Sequence, residues 1–206
     1  MKTLALGSMV VFVLCGAVAG CDTNSETTPD DGRAEVQEEL RGAWLTPCSP
    51  VPDSDPPAFS VYEVKNNGET GTFRYGMYAD EGCTVPLVDF VLESKQEVGA
   101  ALPDIGDDVY ELNVYYKKLT ATPHVDGYVQ ALQGAGCGTG PYAVGTPVDF
   151  SDTGCFFFKP IAACEADYDI MKIDADRFYN GVRTADMCTP DGRPTQLNAF
   201  WFDRTE

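Results

Sequence analysis

Basic residues are scarce: Lys and Arg number 14 against 32 Asp and Glu, and there is 1 His. A surface of that sign repels nucleic acid and anionic lipid, so nucleic-acid binding is excluded. The chain has no C-x-x-C, and with His124 as its sole imidazole no zinc set has its usual spacing. No metal site is expected. No G-x-S-x-G accompanies His124. Without a nucleophile to activate, this default general base reads as a loop histidine. No catalytic residues are assigned, and the expectation is a non-enzymatic protein. "GAGCGTGP" (134–141) resembles a phosphate loop in glycine content only. Neither Lys-Ser/Thr nor a helical pattern follows, and Cys137 interrupts it, so it reads as a disulfide-tethered loop. No apolar run after the first residues approaches the roughly 20 needed to span a bilayer. A long helical period and a repeat of fixed length are also missing.

The first residues are different. "MKTLALGSMVVFVLCGAVAG" (1–20) has the positive start (Lys2), the short apolar stretch and the small-residue end of a secretory signal. At its end, Val18-Ala19-Gly20-Cys21 resembles the bacterial lipobox. The resemblance implies cleavage before Cys21, a diacylglyceryl group on its thiol, and a fatty acyl group such as palmitate on the new amine. Two or more acyl chains suffice for stable anchoring, at about 0.8 kcal/mol per buried methylene. This covalent lipid is the only attached group expected; no cofactor is. The other reading is an ordinary signal site with Cys21 left in a bridge. Asp22 resembles the inner-membrane retention signal of enterobacterial lipoproteins, but other groups sort differently. The location is therefore the bacterial cell envelope, facing periplasm or cell surface. Loss of Lys2 with the signal takes the formal net charge from −18 to about −19.

With Cys15 removed and Cys21 lipidated, six cysteines remain: Cys48, Cys83, Cys137, Cys155, Cys164 and Cys188. An even set in an exported chain reads as three disulfides. Fifteen pairings are open; loop lengths and the hairpin pattern favour Cys48–Cys83, Cys137–Cys155 and Cys164–Cys188.

Residues 21–39 include "DTNSETTPDDGRAEVQEE", polar and acidic, which reads as a flexible tether with a helical turn or two in "RAEVQEEL". The domain is expected to begin near Leu40 and run to residue 206. From there, aromatic and β-branched residues alternate with Gly and Pro punctuation. Asn67-Gly68 lies between two alternating runs and marks a hairpin. Tyr110, Leu112, Val114 and Tyr116 share one face of a period-2 strand. Further strands are expected at 41–47, 86–92, 125–133, 142–150, 155–159, 167–173, 178–184 and 196–204. About ten short strands in about 165 residues make one all-β, antiparallel, disulfide-stapled sandwich or barrel.

Gly42-x-Trp44 in "LRGAWLTPC" resembles the first-strand motif of the lipocalin and calycin superfamily. The resemblance implies a lipocalin-like β-barrel in which Trp44 closes one end and a basic residue of the last strand, Arg204 in "LNAFWFDR", packs on its ring. "GAWLTPC", "FRYGMYADEGCTVP", "YDIMKID" and "GRPTQL" resemble lipocalin-like lipoproteins and the adenomatosis polyposis coli down-regulated 1 domain. The elements that match are Trp44/Cys48, Tyr78/Asp80/Cys83 and Gly192 to Thr195. The Thr-Asp-Tyr motif of classical lipocalins does not appear.

Asp80 is expected to order the turn before Cys83. Asp104, Asp107 and Asp108 lack the spacing of a calcium loop and read as solvated. Phe156, Phe157 and Phe158 would alternate across a strand, and inward Phe, Tyr and Met side chains either fill the barrel or line a cavity. Two functions follow. One is a binding module that takes a small apolar or amphipathic ligand into the barrel. The other is a surface protein with a filled barrel, recognising an envelope protein or a glycan through its loops.

Overall fold

A computed structural model describes residues 32–184 and 186–205. The signal, the lipobox with Cys21 and residues 21–31 of the tether lie outside the described residues. Residues 33–39, tether by composition, form helix α1 (Arg33–Glu39) and pack on the barrel. Its Val36 packs beside the buried Leu40, and Gln37 accepts a hydrogen bond from Val98 N–H at 2.8 Å.

The strands are β1 (Gly42–Leu45), β2 (Ser49–Pro50), β3 (Phe59–Asn66), β4 (Thr70–Tyr78), β5 (Pro86–Ala101), β6 (Tyr110–Pro123), β7 (Val148–Asp149), β8 (Ala166–Asp174), β9 (Arg177–Asn180) and β10 (Phe202–Arg204). Eight of them close an antiparallel barrel in the order β1-β3-β4-β5-β6-β8-β9-β10, because β1 pairs with both β3 and β10. Short β2 and β7 pair outside that ring, on β3 and β6. Each barrel strand neighbours the next in the chain, the up-and-down arrangement of lipocalin-like barrels. Each of the eight barrel strands is thus paired on both sides over at least part of its length.

The β3–β4 hairpin forms about Asn67-Gly68, with Asn66 opposite Gly71 and Gly68 at φ +108°, a conformation open to glycine. In β6 the alternation is interrupted once. Glu93 pairs with Lys118 and Ser94 with Tyr116, so Lys117 is a bulge. The extra residue restores the inward face: Leu112, Val114 and Tyr116 precede it, and Leu119 and Ala121 follow on the same side.

Several expected strands differ. Residues 125–133 are not a strand but helix α2 (Asp126–Gly134). Tyr128 and Leu132 stand four apart, one helical turn, with Asp126 at the N-terminus, and Leu132 is fully buried. The strand expected at 86–92 continues to Ala101, while that at 142–150 shrinks to Val148–Asp149. Residues 155–159 form a tight turn, not a strand: Cys155 and Phe158 exchange backbone hydrogen bonds at 2.8 Å, with Phe156 at φ +52° between them. The strands at 178–184 and 196–204 are only β9 and β10.

The core divides into two clusters. Leu40, Trp44, Val64, Leu112, Met171, Phe178 and Phe202 plug one region of the barrel. Phe90, Leu92, Leu119, Leu132 and Phe150 form the other, with the loop carrying Cys137 and Cys155 packed over it. Trp44 is fully buried and donates its indole N–H to Leu40 O at 2.9 Å. Arg204 lies 4.0 Å from the centre of the Trp44 ring. Its guanidinium is fixed there by hydrogen bonds to Arg41 O and Glu39 O, each 2.8 Å. Gly42 begins β1 at φ +120°.

Three disulfides tie the loops to this frame: Cys48–Cys83, Cys137–Cys155 and Cys164–Cys188, closing spans of 35, 18 and 24 residues. Asp80 orders the turn before Cys83. Its Oδ1 accepts from Thr84 N–H (2.9 Å) and Val85 N–H (2.7 Å), and its Oδ2 from the Thr84 hydroxyl (2.8 Å). The Val85 bond foremost, with those from Thr84, holds the Asp80 carboxyl below the usual range.

Candidate functional site: a cavity inside the barrel

The wall of the barrel is uneven. β5 and β6 have 16 and 14 residues, whereas β9 and β10 have 4 and 3. On the low side the chain from Gly181 to Trp201 replaces the wall. A cavity of about 630 Å³ lies inside, bordered there by Arg183, Asp186, Asn198 and Phe200 and opposite them by Phe157 and Lys159. That is within the range for small-molecule sites. The barrel thus keeps an open pocket beside its two packed clusters.

One wall is aromatic. Tyr62 of β3 stacks on Tyr75 of β4 with ring centres 4.9 Å apart. Phe200 continues the stack from Tyr62 at 6.3 Å, and Phe157 meets Tyr75 at 6.2 Å. These are ordinary attractive ring separations. The outer members are uncovered: Phe157 is 70% exposed and Phe200 45%. Burial, with help from the neighbouring Tyr62 and Tyr128 hydroxyls, pushes Tyr75 up to about 12, so it stays neutral. Leu92, Val114 and Phe73 extend the apolar surface.

The opposite side is polar. β8 reads "ADYDIMKID", and its alternation sends Asp167, Asp169 and Met171 inward together. Asp167 Oδ2 receives Arg183 Nη1 at 2.7 Å and the Tyr116 hydroxyl at 3.0 Å, while its Oδ1 meets Arg183 Nη2 at 3.4 Å. Burial foremost, then the Asp167 carboxylate, pushes the Tyr116 hydroxyl far up, so it remains a donor. Asp169 is 7% exposed. Its Oδ1 accepts Ile170 N–H at 2.8 Å and Gly181 N–H at 2.9 Å. Gly181 is required for that approach, since a Cβ there would stand 2.6 Å from Asp169 Oδ1. Burial pushes the Asp169 carboxyl up to about 7; Asp167 adds to the rise, and the Ile170 and Gly181 N–H groups oppose it. Ser94 and Gln96 of β5 add neutral polar groups.

The rim is braced by a disulfide and an ion pair. Cys164–Cys188 links the approach to β8 with the segment beside the cavity. Lys159 and Asp186 pair across the rim at 3.1 Å. On the outer surface of β6 and β8, Arg193 of "GRPT" donates to Asn113 Oδ1 (2.8 Å), lies 3.4 Å from Glu111, and sits over the Tyr168 ring. That segment straps the wall carrying the two aspartates.

His124 is elsewhere. Its Nε2 lies 2.9 Å from Asp89 Oδ2, and Arg74 lies 2.7 Å from the other oxygen. Asp89 and Arg74 alternate with the inward Phe90, Tyr75 and Phe73, so this cluster is on the outer face. Among the described residues the imidazole has no other hydrogen-bond partner. Asp104, Asp107 and Asp108 are exposed on the β5–β6 loop.

Neither a family model nor a curated protein matches the chain.

The sequence reading missed Asp167, Asp169 and Arg183. The signal was present: Asp167, Asp169, Met171 and Ile173 share one strand parity, so a strand with Met171 inward carries both carboxylates inward.

Proposed function

We propose that this chain is a bacterial cell-envelope lipoprotein, anchored through lipid on Cys21, whose barrel binds a small amphipathic ligand. One observation carries the binding reading: a cavity of about 630 Å³ with an aromatic wall on β3–β4 and polar groups on β8. A ligand body laid against Tyr62, Tyr75 and Phe200 gains about 25 cal/mol for each Å² of apolar surface removed from water. The disulfide and ion pair at the rim support a preformed mouth, which lowers the ordering cost of binding. Exposed Phe157 and Phe200 are the groups an entering apolar body would cover.

The anchor is supported by the lipobox-like stretch and by the even set of six bridged cysteines, which suits an oxidising compartment. The Trp44–Arg204 contact supports the resemblance to the lipocalin-like lipoproteins and the adenomatosis polyposis coli down-regulated 1 domain.

Native mass spectrometry of protein purified from its host membrane, followed by solvent extraction, tests the reading. A co-purifying small amphiphile in 1:1 ratio is expected. A protein that emerges empty and binds no hydrophobic fluorophore overturns it.

A further inference from the structure

We infer that the ligand carries a protonated amine, which docks on the free oxygen of Asp169 while the apolar body lies along the Tyr62–Tyr75 wall. This rests on the binding-module reading and specifies its ligand class.

The charges that face the cavity do not balance. Arg183 is committed to Asp167 through both of its terminal nitrogens. Lys159 is matched by Asp186 at the rim. Tyr116 donates to Asp167 and not to Asp169. Asp169 has no ion pair of its own among the described residues; Arg183, bound to Asp167, acts on it only through space. Two backbone N–H groups hold its Oδ1, and its Oδ2 has no hydrogen-bond partner among the described residues. The side chain is more than nine-tenths buried and lines a cavity large enough for an occupant, and its unpaired oxygen is the one left open to that cavity. A group that brings N–H donors and positive charge satisfies that oxygen with a charge-assisted bond.

The alternatives fit less well. An anionic head would meet Arg183 already engaged and two carboxylates beside it. A bare metal ion lacks ligands: no group of three His, Cys, Asp or Glu side chains could hold one among the described residues. The aromatic wall calls instead for an organic body on the same molecule. The chain's excess of acidic over basic residues attracts cations to the protein as a whole.

Three probes share one body and differ in charge: 4-phenylbutylamine, 4-phenylbutanol and 4-phenylbutyrate. Titration calorimetry on the full-length protein in lipid nanodiscs, with empty nanodiscs as blank, is expected to rank amine over alcohol by at least tenfold, with the acid weakest. In Asp169→Asn the amine should fall to the affinity of the alcohol, and the alcohol should change by less than threefold. An amine no tighter than the alcohol overturns the inference, as does a preference that survives Asp169→Asn. Failure of all three probes to bind overturns the binding reading itself. Displacement of the amine by millimolar calcium chloride would make an inorganic cation the occupant and also overturns it. A readout that needs no variant is the Asp169 carboxyl carbon signal. The amine should move its titration to lower pH, and an unmoved titration contradicts the docking.

Discussion

Arg204 rests 4.0 Å over the ring of Trp44 and donates to the carbonyls of Arg41 and Glu39, so the last strand locks the chain that enters the first. The contact joins barrel closure to helix α1, because Glu39 ends that helix. Arg204→Ala should lower stability by about 1–2 kcal/mol, the scale of a cation–π contact plus hydrogen bonds to a charged group. Trp44→Ala removes a fully buried ring and should cost about 3–5 kcal/mol. Urea denaturation of both variants checks the order; equal losses would mean that the arginine, not the ring, supports the closure.

Asp169 gives the fold a pH dependence of unusual sign. Its carboxyl titrates near 7 when folded, against the ordinary value of 3.8. Between those values the native state holds a proton that the unfolded chain has lost, so this group lowers stability as pH rises from about 4 to about 7. Above 7 its effect is constant. Asp169→Asn keeps the acceptor for Gly181 and removes the titration. The variant should match wild type near pH 4 and exceed it at pH 8 by a few kcal/mol, since one pKa unit is about 1.4 kcal/mol. Stability curves that run parallel from pH 4 to 8 contradict this.

Gly181 allows the Asp169 bond by lacking a side chain. Gly181→Ala places a Cβ 2.6 Å from Asp169 Oδ1 and 2.6 Å from Pro194 Cβ. It should cost about 1–3 kcal/mol, as overpacking does, and should weaken ligand binding together with stability. The amide resonance of residue 181 reports the bond, and an alanine variant with unchanged melting temperature and unchanged amide shift would contradict the overpacking.

Lipid attachment and barrel folding should be separable. Cys21→Ser is expected to release the protein from the membrane fraction while its circular dichroism and melting temperature stay unchanged. Misfolding with scrambled disulfides would show that Cys21 belongs to a bridge, and the lipoprotein reading would fall.

Much of the barrel was legible because its inward faces are apolar at period 2. β6 declared itself through Leu112, Val114 and Tyr116. The second half of β5 did not, since its inward residues are Ser94 and Gln96 and its outward ones Glu93, Lys95 and Glu97. A strand with polar side chains on both faces has no hydrophobic alternation to read. Helix α2 was hidden by its shortness: Tyr128 and Leu132 give one apolar turn, and Val129 beside them mimics a strand. The cavity's carboxylates were visible by parity but had no apolar signal to draw notice. Arg183 could not be paired with Asp167 from sequence, because a loop, not a strand, delivers it.

The claim that the barrel holds a ligand is tested most directly by filling its cavity. Val114 lines the interior and is partly buried. Val114→Trp should fold into the same barrel and lose binding of an environment-sensitive hydrophobic fluorophore at least tenfold, while wild type binds one per chain. Equal binding by a folded Val114→Trp variant would place the fluorophore outside the barrel and contradict the account.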